Sequence, residues 1–577
     1  MSVMTERSAE TSSEIRAVRS LADDYVQEIA ALDPVVATFF GLPIGQDELP
    51  DLSPSGREAM DERHRATLVQ LAEMERAAGA GGFANADERR CARLLRERLE
   101  TELTVSATGE HLRAVSNIFG PPAEMRQAFL LMPAATDDDW AVITRRIGRV
   151  PAALAGYRSS LSHGADAGLF AAPRQIETVA TQFAEWQAAG GDRGWFTDFA
   201  TSAPADGTAT LRAELDVACT AADAAVADLR AWLLSDYLAG AAGTPDAMGL
   251  ERYRVGVRSS NGASPDLAET YDWGWAQYRQ ITGEMKIEAE RILRGSTPWE
   301  AMRHLDSHAE VIEGVDAVRD RLQRLMDDAM ASLSGTHFDL ADPIKVIQAR
   351  IAPAGSAAAP YYTPPSQDFS RPGQTWLPTL GRTRFSMWEL YSTWYHEGVP
   401  GHHMQLAQWQ YLAGQLSQYQ TGFGLVSACV EGWALYAERL MDELGFLQQP
   451  GARMGYLDAQ LMRAIRVIVD IGMHLELPVA ADWAPGAGAV WTPELALEFF
   501  TAHSGRDREF AESEIVRYLS LPGQAISYKL GERAWLEGRD AARAARGPSF
   551  DLKAWHMAAL SLGSLGLDDL AAELALL

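Results

Sequence analysis

The chain has 577 residues, 47% of them hydrophobic, and a formal charge of −27 from 51 basic and 78 acidic side chains. That length exceeds one ordinary domain and the apolar content suffices for a sizeable core, while the negative charge argues against nucleic acid or an anionic membrane as partner. Cys91, Cys219 and Cys429 are too few and too scattered for a disulfide framework. With no apolar signal run at the N-terminus and no span of about 18 uncharged apolar residues, the expectation is a soluble cytoplasmic protein.

In chain order the pattern is helical from Ser13, with Val18, Leu21, Ala22, Tyr25, Ile29 and Leu32 on one face. Helices are then expected from Arg57 to about Ala78, from an Asn85 N-cap to about Leu112, and over 136–164, 172–189 and 209–239. Gly240 to Pro245 breaks the pattern, and Leu267 to about Arg294 resumes it. Thr297-Pro298-Trp299-Glu300 reads as another helix start, followed by a helix over 315–333.

After Gly335 the texture changes. Ile344, Val346, Ile347 and Ile351 suggest a strand, and the turn-rich 359–373 leads into Gln374 to Thr379, which Pro378 demotes to an edge strand at best. Ser386-Met-Trp-Glu389 has the form of a capping box opening a further helix. Later helices are expected over 425–444, 452–477, 492–502, 508–520, 524–543 and 550–576.

The chemistry gathers in SMWELYSTWYHEGVPGHHMQ, residues 386–405. A His-Glu pair followed one helical turn later by a second His is the zinc-protease pattern, in which two imidazoles hold the metal and the Glu takes a proton from water. Here Pro400 occupies the position four after His396, and His402 and His403 come late. A zinc ion with bonds of about 2 Å to nitrogen cannot span the roughly 10 Å that seven helical residues cover, so a kink is required. Gly398, Pro400 and Gly401 supply it. A two-residue excursion there makes His402 the second ligand, with His403 as the alternative.

Glu397 is the candidate general base. Glu431, within VEGWALYAERL and 29 residues after His402, is the candidate third ligand, on a helix able to pack back with Gly432 permitting close approach. On Arg463 to His474, four-residue steps put Arg466, Asp470 and His474 on one face. Asp470 and Arg466 are candidates for supporting a metal His from behind, and His474 for donating to an oxyanion. Tyr528 is a second oxyanion donor. Arg371, in a Ser-Arg-Pro-Gly turn, could bind a substrate carboxylate, and Tyr362 and Lys529 are further substrate-binding candidates. Cys429 reads as core.

The blocks YVQEIAALDPVVATFFG, YYTPPSQDFSRPG, YHEGVPGHHMQ, VEGWALYAERL, RVIVDIGMH and YLSLPGQAISYKLG resemble those of the bacterial family catalogued as domain of unknown function 885. One small departure is Leu521, where an aromatic is common before the proline. The resemblance implies a largely helical zincin-like metallopeptidase, with His396, His402 or His403, and Glu431 around one zinc ion and Glu397 as base.

The resulting expectation is a mainly α fold with a small β-sheet, whose edge strand lies beside the metal helix. An N-terminal helical region, 1–290, would precede a C-terminal catalytic region, 291–577. The expected activity is zinc-dependent hydrolysis of short peptides. Hydrolysis of another amide, such as an acylated amino acid, and non-catalytic metal or peptide binding are the alternatives. Retention of both Glu397 and Glu431 favours an enzyme, since binding alone needs no base.

Overall fold

The structure is a computed structural model describing residues 3–79, 82–83, 85–204, 207–353, 359–481, 483 and 485–577, with side chains described from residue 18 onward. Helices dominate and the strands are few and short. Among the described residues no helix is long and apolar enough to cross a membrane.

Two compact units form. The first comprises Met1–Phe83, Arg98–Met248 and Val516–Leu521; the second comprises Ala84–Glu97, Gly249–Ile515 and Pro522–Leu577. In the first unit, helix Ala209–Trp232 packs against Asp137–Ile147 and Val150–Asp166. Trp140, Ile143, Tyr157, Phe183 and Phe196 lie in the core between such helices. The opening helix runs Val3–Leu32, starting before Ser13, and Asp33 caps the next one by accepting from Val35 and Val36 N–H.

The second unit is built on one buried helix. Helix α6 (Ala452–Leu475) has every residue from Met454 to His474 out of solvent, the polar Asp458, Gln460, Arg463, Arg466, Asp470 and His474 included, so its polar side chains must find partners in the interior. Around it pack α1 (Leu267–Ile292), α3 (Met387–Glu397) and α7 (Ser527–Arg546). Helix α5 (Ser427–Glu443) contacts α3 and lies along α7.

The expected boundary at residue 290 therefore falls inside this unit, because α1 packs on α6. Helix Leu250–Asn261 also packs on α6, and the sequence reading missed it. Gly256 lies at its close contact with Pro522. A Cβ there would sit 2.5 Å from the Pro522 ring, so close packing requires the glycine.

Strand β1 (Val311–Glu313) pairs antiparallel with β5 (Arg384–Ser386). A separate three-stranded sheet has the order β2 (Ile347–Ile351), β4 (Gly373–Leu377), β3 (Tyr361–Thr363), with β2 parallel and β3 antiparallel to β4. The segment that Pro378 was expected to demote is thus the central strand. Pro378 stands just past Leu377 and removes no ladder donor. Ser386 forms no capping bond, because it pairs with Val311 at the end of β5, and Met387 N–H is taken by Glu310 O at 2.9 Å. Helix α2 (Val315–Leu333) spans the expected residues and backs β2.

Candidate metal centre

Helix α3 stops at Glu397 and α4 (His402–Tyr411) starts beyond a four-residue break. The break between them is tightly held. Gly401 N–H donates to Tyr395 O at 2.9 Å, and a Cβ on Gly401 would fall 1.9 Å from His396 O, so only glycine fits. Trp433 of α5 donates its indole N–H to Pro400 O and Gly401 O, at 3.0 and 2.9 Å. The Val399–Pro400 peptide is cis. The excursion puts the His396 and His402 rings 4.8 Å apart, nearly perpendicular.

Glu431 closes the group from α5. Its Oε2 lies 3.3 Å from His396 Nε2 and 3.7 Å from His402 Nε2. One ligand atom from each of the three residues lies within 4.8 Å of the others. Glu431 Oε2 is buried without a hydrogen-bond partner, as is His402 Nδ1. Donors about 2.1 Å from a tetrahedral zinc stand about 3.4 Å apart, so the spacing fits such an ion with a position left open. Glu397 Oε1 is 3.9 Å from His396 Nε2.

Behind His396 stands Glu438, two turns beyond Glu431 on α5. His396 Nδ1–H donates to Glu438 Oε1 at 2.8 Å, so Nε2 is the nitrogen turned to Glu431 and the one available to a metal. Ser392 donates to the other carboxylate oxygen, and Arg463 of α6 pairs with Oε1 at 3.3 Å. Burial opposes a charge on His396, but the Glu431 and Glu438 carboxylates outweigh it and raise its pKa to about 9. Burial likewise opposes ionisation of Glu431, yet His396 and His402 bring it down to about 2. Glu397, buried and near Glu431, is pushed up to about 8.

The other sequence candidates separate. His403 is no ligand here: its Nε2–H donates to Ile344 O at 2.7 Å and its Nδ1 accepts from Tyr362 at 2.8 Å. Tyr362 thus serves to tie β3 to α4. Lys529 is 1% exposed and bonded to Gln460 and Glu532, which removes it from any substrate surface. Asp470 does not reach a metal His; its Oδ2 accepts from Tyr253 and Gly523 N–H, fixing the turn before α7. His474 is fully buried and stacked on Tyr253. It lies eleven residues, about 16 Å of helix, beyond the Arg463 that touches Glu438, too far to reach an oxyanion at the metal.

Arg466 pairs with Glu514 at 2.7 Å and covers the Tyr528 ring at 4.8 Å, orienting Tyr528 instead of a metal His. The Arg463 guanidinium is 5.9 Å from the same ring, which places half-buried Tyr528 next to the groups behind His396. Arg371 is exposed on the β3–β4 loop. Cys429 is buried, with its pKa pushed up to about 12 by burial. Gly432 permits close approach to Gly531 of α7, not to α3.

Glu438, Arg463 and Trp433 were given no role in the sequence reading. The seven-residue spacing of Glu431 and Glu438, two turns on one helix face, was the available signal for the first.

Together these features define a mainly helical protein with a His-His-Glu constellation where a broken helix meets a second helix. The chain belongs to the family described as bacterial protein of unknown function (DUF885), which it matches over residues 34–574. No curated protein matches the sequence. It is similar to the crystal structure of a "putative lipoprotein" from Colwellia psychrerythraea, with a TM-score of 0.79 and 20% identity over 97% of this chain and 98% of that one. A "putative lipoprotein of unknown function" from Shewanella oneidensis gives a TM-score of 0.75 and 18% identity over 96% and 99%. At such identities the likeness is one of fold.

Proposed function

We propose that this chain is a zinc-dependent hydrolase of peptide bonds in short peptides. The observation that carries the reading is the convergence of His396, His402 and Glu431, with Glu397 beside them and Glu438 behind His396. Zinc bound there supplies a Lewis acid for the scissile carbonyl. Glu397 accepts a proton from the attacking water and returns it to the leaving amine. Tyr528, oriented by Arg466, donates a hydrogen bond to the oxyanion. Strand β3 offers an edge that no described strand covers, along which an extended peptide can pair.

The test is metal content by mass spectrometry of protein purified without added metal, beside His396→Ala and Glu431→Ala. The expected result is about one zinc per chain, lost in both variants, with peptide hydrolysis abolished in Glu397→Gln although that variant keeps its metal. Wild-type protein that takes up no zinc even when supplied with it would sink the reading.

A further inference from the structure

The metal centre is crowded with carboxylates: Glu397, Glu431 and Glu438 all lie within 4 Å of the His396 ring. A peptide whose scissile carbonyl sits at the centre carries its terminal carboxylate a few residues further along, where a cation set apart from the centre can receive it. The arginines around the centre are already committed. Arg463 pairs with Glu438, Arg466 with Glu514 and Arg439 with Glu532. Arg371 differs. The residue is exposed, and among the described residues its side chain bonds Pro372 O alone, at 3.5 Å, and pairs with no carboxylate.

The loop that presents Arg371 is rigid. Ser366 N–H donates to Arg371 O at 3.0 Å, and Arg371 N–H donates to Ser366 Oγ at 2.9 Å. The acid of the loop, Asp368, accepts from Ser366 Oγ, Ser370 N–H and Ser370 Oγ at 2.7 to 3.0 Å. These bonds turn Asp368 to the serines, away from Arg371. Phe369 holds a left-handed φ of 55°, a strained conformation for a non-glycine residue that persists where the surrounding bonds impose it.

The loop is also fixed relative to the metal. A Cβ on Gly373 would fall 2.4 Å from the Tyr362 hydroxyl and 2.6 Å from His403 Nδ1. The chain at Gly373 therefore rests on the imidazole that follows His402. Arg371, two residues earlier, is at most about 7 Å of backbone away.

We propose that Arg371 receives the free α-carboxylate of a peptide laid along β3, so that the substrates are short peptides with an unblocked C-terminus, cleaved a few residues from that end. This rests on the peptidase reading and adds an end preference to it. The fork of a guanidinium matches a carboxylate in two parallel hydrogen bonds, which a C-terminal amide cannot reproduce.

The experiment compares one N-acetylated hexapeptide as free acid and as C-terminal amide. Cleavage by the zinc-loaded full chain is followed by chromatography, and binding to Glu397→Gln by calorimetry. The acid is expected to be preferred at least tenfold in kcat/KM and in affinity. Arg371→Ala brings both ratios close to one, mainly by raising KM for the acid, and Arg371→Lys falls between. Equal handling of acid and amide by the wild type, or a preference that Arg371→Ala leaves intact, overturns the carboxylate site and leaves the peptidase reading standing. Acid-selective binding lost in Arg371→Ala but without cleavage keeps the site and removes the hydrolase. Zinc-loaded protein that neither binds nor cleaves either peptide removes both.

Discussion

At the scale of single residues, neighbouring polar groups around the centre have different partners, which makes substitutions discriminating. Glu438 holds His396 by its Nδ1–H, which leaves Nε2 for a metal, and balances Arg463. Glu438→Gln keeps the shape and removes the charge. It is expected to weaken zinc binding by about 10- to 100-fold, read by competition with a chromophoric chelator, while the circular dichroism spectrum stays native. The two adjacent histidines separate cleanly. His402→Ala is expected to lose the metal. His403→Ala is expected to keep one equivalent and instead lower unfolding stability by roughly 2–3 kcal/mol, because Ile344 O and the Tyr362 hydroxyl lose their partner in the interior. Metal loss in His403→Ala with retention in His402→Ala would reverse the assignment.

At the scale of elements, the centre exists because one helix is interrupted and a second holds the interruption in place. An unbroken helix through 396–403 would put His396 and His403 about 10 Å apart along the axis. The Trp433 indole spans the two carbonyls that the break exposes, and it projects from the helix that carries Glu431 and Glu438. Trp433→Phe is expected to cost about 1–3 kcal/mol of stability and to lower zinc affinity as well, since the His402 side of the break loses its clamp. Urea unfolding with and without zinc reads both effects. A variant destabilised equally in the two conditions would show that the indole only packs.

At the scale of the molecule, several buried histidines are held neutral in the folded state. Burial lowers His64, in the first unit, to about 4, and lowers His556, in the second, to about 3. Both ordinarily titrate at about 6.5. The unfolded chain therefore binds protons below pH about 6.5 that the folded chain refuses until pH about 4 or 3. Stability is full above that window and falls as the pH drops through it. Urea midpoints between pH 7.5 and 4 should fall accordingly, with a shallower fall in His64→Gln. An equal fall in the wild type and His64→Gln would mean that the His64 imidazole is as accessible to protons in the folded state as in the unfolded one.

The sequence by itself determined what rests on local spacing. Periodicity set most helices, including 315–333 and the helix from Ala452. Gly398, Pro400 and Gly401 required a break, and His396, Glu397 and Glu431 stood out by residue type and position. Tertiary structure decided whatever depends on which faces meet. It brought His402 beside His396 and Glu431 and committed His403 to Ile344 and Tyr362. Tertiary packing made Lys529 and Asp470 structural by burying them against Glu532 and Tyr253. The second unit also took in helix Leu250–Asn261, which the sequence reading left out and whose Gly256 lets Pro522 lie against it. The physical reason is one of range. Backbone propensity and side-chain period act over a few neighbouring residues. A hydrogen-bond partner for a buried polar group is found wherever packing places one, and for Asp470 that partner is Tyr253, 217 residues away along the chain.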